Sequence, residues 1–146
     1  MPTDVVTDAP NTVLASKEQI ENALSSSDWS SYDGGLFTRT DSRGGIFLMI
    51  NGQLRHVPNP VTYSNLFISS PNVQKSDYVV DNAPSGPEIT VGAFIAVGDG
   101  AAQFVITNNV KMWIPSPEVV NKFQFKGPTK VAQILLDFIT TGPNVG

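Results

Sequence analysis

The chain has 146 residues and a formal net charge of −4, and this length suits one compact domain with a sizeable apolar interior. The acidic balance and the lack of any basic run argue against binding to nucleic acid or insertion into anionic membranes, because both need clustered lysine and arginine. With no cysteine and one histidine, the sequence predicts no disulfide, no thiolate chemistry, no metal site of the usual zinc type and no cofactor.

The N-terminal part is expected to contain a tail, a short helix and a loop. Residues 1–13 hold two prolines and two aspartates without apolar periodicity, which is typical of a loosely docked tail. Residues 14–34 begin with a capping box from Ser16 to Gln19, in which each of the two end side chains satisfies a free amide of the first helical turn. A polar, glycine-terminated loop ends this predicted helix.

A hairpin followed by a helix is the most strongly encoded part of the chain. Asn51-Gly52 lies between two β-prone runs and predicts a tight hairpin turn. Asn59-Pro60 predicts the start of a helix, because asparagine caps a free amide and proline has no amide hydrogen to leave unpaired. Apolar residues at spacings of three and four give this helix a face for the core: Tyr63, Leu66 and Phe67.

The same pattern recurs in the second half of the chain. Residues 35–71 align with residues 92–128 without a gap, and seven of the 37 aligned pairs are identical, where average composition gives about two or three. Asn108-Asn109 replaces the first turn and Ser116-Pro117 replaces the first cap. The alignment predicts an internal duplication of a unit with three strands and a helix. The identical pairs are Gly35/Gly92, Phe37/Phe94, Phe47/Phe104, Asn51/Asn108, Pro58/Pro115, Pro60/Pro117 and Pro71/Pro128.

Two further segments complete the predicted fold. Residues 72–91 connect the repeats, and Tyr78 to Val80 predicts a short strand within them. Residues 129–146 carry a C-terminal helix that ends at Gly142-Pro143 and has an apolar stripe for the core: Val131, Ile134, Leu135, Phe138 and Ile139. The sequence thus predicts an α+β fold in which antiparallel sheet from the duplicated units packs against N- and C-terminal helices.

The first hairpin and its Pro-x-Pro segment resemble a short repeat found in assorted bacterial and phage surface proteins. The repeat has the form aromatic, hydrophobic, x-Asn-Gly-x-x-Arg-His-Ile-Pro-x-Pro, followed by a helix. The copy that runs from Phe47 to Phe67 matches it through Asn51-Gly52, Arg55-His56-Val57 and Pro58-Asn59-Pro60. The second copy keeps Asn108 and both prolines but has Met112-Trp113 in place of Arg-His. The resemblance implies an extracellular or particle-surface role in binding or structure, and it brings no catalytic residue with it.

Seven residues are candidates for a ligand site. Aromatic rings beside asparagine, aspartate and arginine suit a sugar, because the C–H face of the sugar stacks on the ring while its hydroxyls take paired hydrogen bonds. The alternative is a structural role, with Trp113 in the core, Trp29 packed on the N-terminal helix and His56 as a half-buried ring in the place of Trp113. The loop around Trp29 is favoured over Trp113, since loops carry function more often than hairpin strands. The candidates are Trp29, Tyr32, Asp33, Arg55, His56, Asn109 and Trp113.

Two functional hypotheses follow. The first is a non-catalytic, lectin-like module for carbohydrate or another cell-surface polymer. The second is a structural or assembly protein of a virion or surface layer, acting as a homo-oligomer or with a structural protein partner. Catalysis is not expected, because the only histidine lies on a repeated hairpin strand and no carboxylate pair is marked by spacing. An extracellular or virion-surface location is favoured, although the acidic N-terminus shows no secretory signal.

Overall fold

Residues 29–146 are described by a computed structural model and form a mixed α+β fold with two β-sheets and four α-helices. The predicted tail and N-terminal helix lie outside these residues.

A short 3-10 helix, Trp29–Tyr32, precedes the first sheet. The first sheet has the order β3-β2-β1-β4 and contains β1 (Leu36–Thr38), β2 (Phe47–Ile50), β3 (Gln53–His56) and β4 (Val73–Lys75). The second has the order β8-β5-β6-β7-β9 and contains β5 (Phe94–Val97), β6 (Gln103–Thr107), β7 (Val110–Ile114), β8 (Thr129–Lys130) and β9 (Thr140–Thr141). The helices are α1 (Pro60–Leu66), α2 (Asp77–Asn82), α3 (Pro117–Lys122) and α4 (Gln133–Phe138). None of these helices is long and apolar enough to cross a bilayer.

The predicted antiparallel pairing is confirmed within each three-stranded unit, but each complete sheet is mixed, which was not predicted. The hairpin strands are antiparallel, but β4 lies parallel to β1, β8 parallel to β5, and β9 parallel to β7. A parallel neighbour has to be reached by a crossover, and helices lie in these connections. Strands of two or three residues carry too little periodicity for the sequence to have predicted them.

The two predicted hairpin turns and the helix caps at Asn59 and Ser116 are confirmed, whereas the capping box from Ser16 to Gln19 lies outside the described residues. Asn51 and Gly52 have φ values of 52° and 77°, and Asn108 and Asn109 have values of 53° and 63°. Positive φ at both central residues is the requirement of the type I′ hairpin turn, which explains the asparagines and the glycine. At the start of α1, the Thr62 backbone amide donates to Asn59 Oδ1 at 2.8 Å.

The segment predicted as a strand around Tyr78 is instead helix α2. Ser76 caps it, with its Oγ accepting a hydrogen bond from the Val79 amide at 3.2 Å. Asp77 in the first turn adds a favourable charge at the positive end of the helix. These two polar residues outweigh the β preference of Val79 and Val80.

The C-terminal helix is shorter than predicted, and its predicted core stripe is wrong. Helix α4 spans six residues, and the side chain that it buries is Leu136. Ile134, Leu135 and Phe138 are exposed. The periodic pattern correctly predicted an apolar face on this helix. The face was predicted to pack on the core, but in the structure it is exposed.

The two sheets share one apolar core. Leu36, Leu48 and Ile50 of the first sheet pack with Ile95, Val105 and Met112 of the second. Phe123 and Phe125 stack on each other within this core, with ring centroids 5.2 Å apart. The outer face of the first sheet forms a separate cluster, which Trp29 and Tyr32 partly cover and whose buried members are Phe37, Met49, Leu54, Val79 and Ala83.

The strand pairing shows which positions of the two sheets correspond. In the hairpins Leu48 corresponds to Val105, as the gapless alignment has it, and these residues pair with Leu36 and Ile95 respectively. Leu36 therefore corresponds to Ile95, because the connection from the first strand to the hairpin is shorter in the second sheet. The gapless alignment is wrong at the first strands, where Phe37 corresponds to Ala96 and not to Phe94. Helices α2 and α4, which were not part of that alignment, also occupy corresponding places in the order of elements.

Each hairpin turn binds the segment that runs along the edge of the other sheet. Residues 84–89 lie alongside β3 at the edge of the first sheet, and the Asn108 side chain donates from Nδ2 to the Glu88 carbonyl at 3.0 Å. Residues 140–145 lie alongside β7 at the edge of the second sheet, and the Asn51 side chain donates from Nδ2 to the Asn144 carbonyl at 2.9 Å. Asn51 Oδ1 also accepts from the Gly146 amide at 2.9 Å. The two asparagines thus join each sheet to the edge segment of the other.

Candidate binding site

Two grooves occupy corresponding places at the base of the two hairpins. Each lies where the return strand runs into a Pro-x-Pro segment and the helix that follows it. The groove of the second sheet, named here the Trp113 groove, has a volume of about 490 Å³ and is lined mainly by Gln103, Trp113, Pro115, Ser116, Pro117 and Asn121. The groove of the first sheet, the His56 groove, has a volume of about 330 Å³ and is lined mainly by Gly45, His56, Pro58, Asn59, Pro60 and Tyr63.

Trp113 presents an accessible aromatic surface at its groove. The side chain alternates along β7 with Met112 and Ile114, which enter the shared core, so Trp113 points to the other face of the sheet. It is 40% exposed and lies opposite Phe104 on the neighbouring strand. The structural alternative for Trp113, a place in the core, is therefore wrong.

The polar groups of the Trp113 groove are all uncharged. Gln103 Oε1 is buried and has no hydrogen-bond partner within residues 29–146. Ser116 Oγ accepts a hydrogen bond from the Val119 amide at 3.3 Å, which leaves its hydroxyl hydrogen able to donate. Asn121 adds an exposed amide. The residues that line the groove together with the ring therefore include two amides, Gln103 and Asn121, and one hydroxyl, Ser116.

His56 takes the position in the first groove that Trp113 takes in the second. Its ring is half-buried, as expected, and contacts Phe47 with centroids 5.2 Å apart. Nδ1 lies 2.6 Å from the Glu88 carboxylate, while Nε2 faces Gly45 closely enough that a Cβ there would lie 2.9 Å from it. The imidazole is thus held between a carboxylate and a glycine backbone.

Arg55 is buried and bonded within the protein. Its Nε donates to the Pro87 carbonyl at 2.7 Å, and its Nη2 donates to Asn108 Oδ1. Burial lowers the pKa of the guanidinium from its usual value, since the charged form loses hydration. The side chain therefore connects the first sheet to the hairpin turn of the second.

Trp29, Tyr32 and Asp33 lie together over the outer face of the first sheet. The Trp29 ring is 5.8 Å from Tyr32 and stacks on Tyr78 at 6.4 Å, measured between centroids. Asp33 is buried, and its Oδ1 accepts from the Gly52 amide at 2.9 Å. None of these three residues lines the His56 or the Trp113 groove.

Asn109 lies at a third groove, named here the Asn109 groove, at the hairpin end of the second sheet. This groove has a volume of about 410 Å³ and is lined by Thr90, Val91, Ile106, Asn108, Asn109 and Phe138, among others. The seven candidates are therefore distributed over several places. Sequence reasoning missed Gln103, Ser116, Asn121 and Phe138, although the Pro-x-Pro segment beside Trp113 was a usable signal for Ser116.

No group of three or more potential metal ligands occurs among residues 29–146. In comparisons with known proteins, the chain matches no family model, no curated protein and no solved structure.

Proposed function

We propose that the chain is a non-catalytic carbohydrate-binding protein whose ligand lies in the Trp113 groove. The observation that carries this proposal is the 40% exposed indole of Trp113 at a groove whose polar lining is uncharged. A pyranose ring stacks on such a surface through its C–H face, and its hydroxyls donate and accept at the groove wall.

Gln103 supports the proposal most specifically. A buried acceptor without a partner is destabilising by about 1–3 kcal/mol, so its presence calls for an explanation. Rotation of the Gln103 side chain toward the groove that it lines would expose Oε1 to a sugar hydroxyl, which would then provide the missing hydrogen bond. An analogue without that hydroxyl would leave the acceptor unpaired, which gives the groove a basis for selectivity.

A non-catalytic role is supported by the surroundings of the only histidine. A serine-type mechanism needs a hydroxyl at the free nitrogen of the imidazole. In this chain Nε2 of His56 faces Gly45, which has no side chain, and Nδ1 faces Glu88. Arg55, the other basic candidate, uses its Nε and Nη2 in bonds within the protein.

We also infer that the two sheets derive from an internal duplication. The support is that both have a hairpin of the same turn type, a Pro-x-Pro segment, a helix, a parallel strand and a second helix in the same order. A Gly-Pro pair follows the second helix of each set at the same spacing, Gly86-Pro87 after α2 and Gly142-Pro143 after α4. Duplication of a single groove explains why the His56 and Trp113 grooves correspond. The resemblance of the first hairpin to repeats of surface proteins agrees with this inference.

The test begins with a glycan array probed with the labelled full chain, followed by calorimetry with the best glycan. We expect Trp113→Ala to weaken binding at least about tenfold, a loss of about 1.4 kcal/mol. Phe138→Ala is the matched control, because it removes another exposed aromatic ring that lies outside the Trp113 groove. A blank array, or a glycan whose affinity is the same for Trp113→Ala and the unchanged chain, contradicts the proposal.

An assembly protein is the second candidate, and one observation favours it. Ile134, Leu135 and Phe138 on α4, together with Val91, leave large apolar side chains exposed. Contiguous apolar surface of this kind marks interaction sites on soluble proteins. Light scattering over a range of concentrations tests this function. A defined multimer that dissociates on Ile134→Asp supports assembly, and a monomer at every concentration contradicts it.

A further inference from the structure

The Asn109 groove has a counterpart on the first sheet that is already filled. Asn109 corresponds to Gly52 in the other hairpin turn, and Ile134 of α4 corresponds to Tyr78 of α2. The 3-10 helix Trp29–Tyr32 covers this place on the first sheet. Trp29 stacks on Tyr78, and the Ser30 amide nitrogen lies 3.5 Å from the position that a Cβ on Gly52 would take.

The acidic residue after the 3-10 helix completes this covering. Asp33 is buried, and its carboxylate accepts the Gly52 amide of the hairpin turn at 2.9 Å. The Trp29 ring on Tyr78 and the Asp33 carboxylate on the Gly52 amide are therefore two specific contacts that come from one short segment, Trp29 to Asp33.

The second sheet has no such cover from the chain that leads into it. The turns before β1 and β5 correspond, since Gly35 donates to the Tyr32 carbonyl at 3.0 Å and Ala93 donates to the Thr90 carbonyl at 3.1 Å. Gly34 and Gly92 have matching φ values of 90° and 87° in these turns. Counted from these turns, Val91, which is exposed, takes the position of Asp33. Counted from the paired strands, where Leu36 corresponds to Ile95, Gly92 takes it, and neither residue carries a carboxylate. Upstream of this turn the chain departs to run beside β3, with Ile89 in the shared core.

The helix beside the open groove is correspondingly exposed. Phe138 is 82% exposed and Ile134, one turn earlier on the same face, is 62% exposed. On α2 the corresponding position of Ile134 is covered by the ring of Trp29. Among residues 29–146, the difference between the sheets thus identifies both a surface that no segment covers and the kind of group that fits it.

We propose that the Asn109 groove docks a short peptide segment of a partner protein that carries an aromatic residue followed by a carboxylate, as Trp29 to Asp33 do. The aromatic side chain packs on Phe138, which lines the groove, and on Ile134, which lies one helical turn earlier beside it. The carboxylate accepts the backbone amide of Asn109, as Asp33 accepts that of Gly52. The proposal does not depend on carbohydrate binding, because the Trp113 groove has a separate lining.

The test uses a fluorescein-labelled peptide with the sequence of residues 28–34, Asp-Trp-Ser-Ser-Tyr-Asp-Gly, titrated with the full chain by fluorescence polarisation. We expect saturable binding that weakens at least tenfold when the protein carries Ile134→Asp or Phe138→Ser. The same loss is expected when the peptide carries Trp29→Ala or Asp33→Asn. Trp113→Ala in the protein should leave peptide binding unchanged, which separates this result from the proposed glycan site.

Val61→Asp is the matched control for Ile134→Asp, because Val61 is a helical aliphatic residue that is 70% exposed at another surface. Exposed substitutions of this kind change stability little, so the variants should remain folded. No saturable binding up to about 1 mM peptide, equivalent to a binding free energy weaker than about −4 kcal/mol, overturns the proposal.

Two other outcomes also overturn it. A multimer that Ile134→Asp dissolves, and that the peptide does not disperse, assigns the surface to a second copy of this chain. A glycan whose binding is lost on Phe138→Ser assigns it to carbohydrate.

Discussion

Replacing Arg55 by alanine should be among the most destabilising single substitutions in this chain. The guanidinium donates to the Pro87 carbonyl and to Asn108 Oδ1, and hydrogen bonds from a charged donor contribute about 1.5–3 kcal/mol each. The two bonds together stabilise the fold by about 3–6 kcal/mol. This figure is already net of the hydration that the guanidinium loses on burial, which is also what lowers the pKa of Arg55. We therefore expect Arg55→Ala to lower the free energy of unfolding by about 3 kcal/mol.

Urea unfolding followed by tryptophan fluorescence measures this loss. With a denaturant dependence of about 1.5 kcal/mol per molar urea for a chain of this size, the midpoint should fall by about 2 M. Arg43→Ala is the matched control, since Arg43 is an exposed arginine and its loss should change stability by no more than about 0.5 kcal/mol. A double-mutant cycle of Arg55→Ala with Asn108→Ala should give a clear coupling energy. Equal midpoints for the Arg55 and Arg43 variants would refute the reasoning.

Three further substitutions test other contacts. The pKa of Asp77 is lowered chiefly by the hydrogen bond from the Thr40 backbone amide and then by that from the Thr40 hydroxyl. The contribution of Asp77 to stability is therefore present above about pH 4 and is lost as the pH falls through the lowered pKa. Asp77→Asn should flatten the acid side of the stability profile, and an unchanged slope in urea melts between about pH 2 and pH 5 would contradict this. Asn59→Ala removes the cap of α1 and should lower the free energy of unfolding in urea by about 1 kcal/mol. Asn59→Ser should retain most of the stability, because serine also caps helices. Equal losses for the two variants would argue against capping. Val145 is the penultimate residue of the sequence but is buried in the shared core. Val145→Ala opens a cavity there and should lower the free energy of unfolding by about 2 kcal/mol, measured by heat or urea. A loss of stability below about 0.5 kcal/mol would mean that this end does not contribute to the core.

Local chemistry was sufficient to predict the hairpins and the start of α1. An Asn-Gly pair can take two positive φ values at little cost, and an Asn-Pro pair caps a helix, so these elements are determined by adjacent residues. The parallel strands β4, β8 and β9 are determined by pairing with residues far along the chain. Strands this short carry no periodic signal, and they could therefore not be predicted from the sequence.

The same limit applies to the candidate site. Trp113 and Asn109 were chosen for their chemistry, and the structure places each at a groove. Arg55 was chosen on the same basis but is buried, because its partners Pro87 and Asn108 are remote in sequence. For α4, periodicity found the apolar face, but only the tertiary arrangement shows that Leu136 is its buried residue.

The presence of the two corresponding grooves on one chain has a consequence for how they can change. In a symmetric homodimer every substitution appears in both subunits, so two such grooves would always remain identical. Here His56 and Trp113 occupy corresponding positions under separate codons, and a change in one leaves the other intact. One polypeptide can therefore hold two corresponding surfaces of different size and chemistry, and substitutions can change each of them independently.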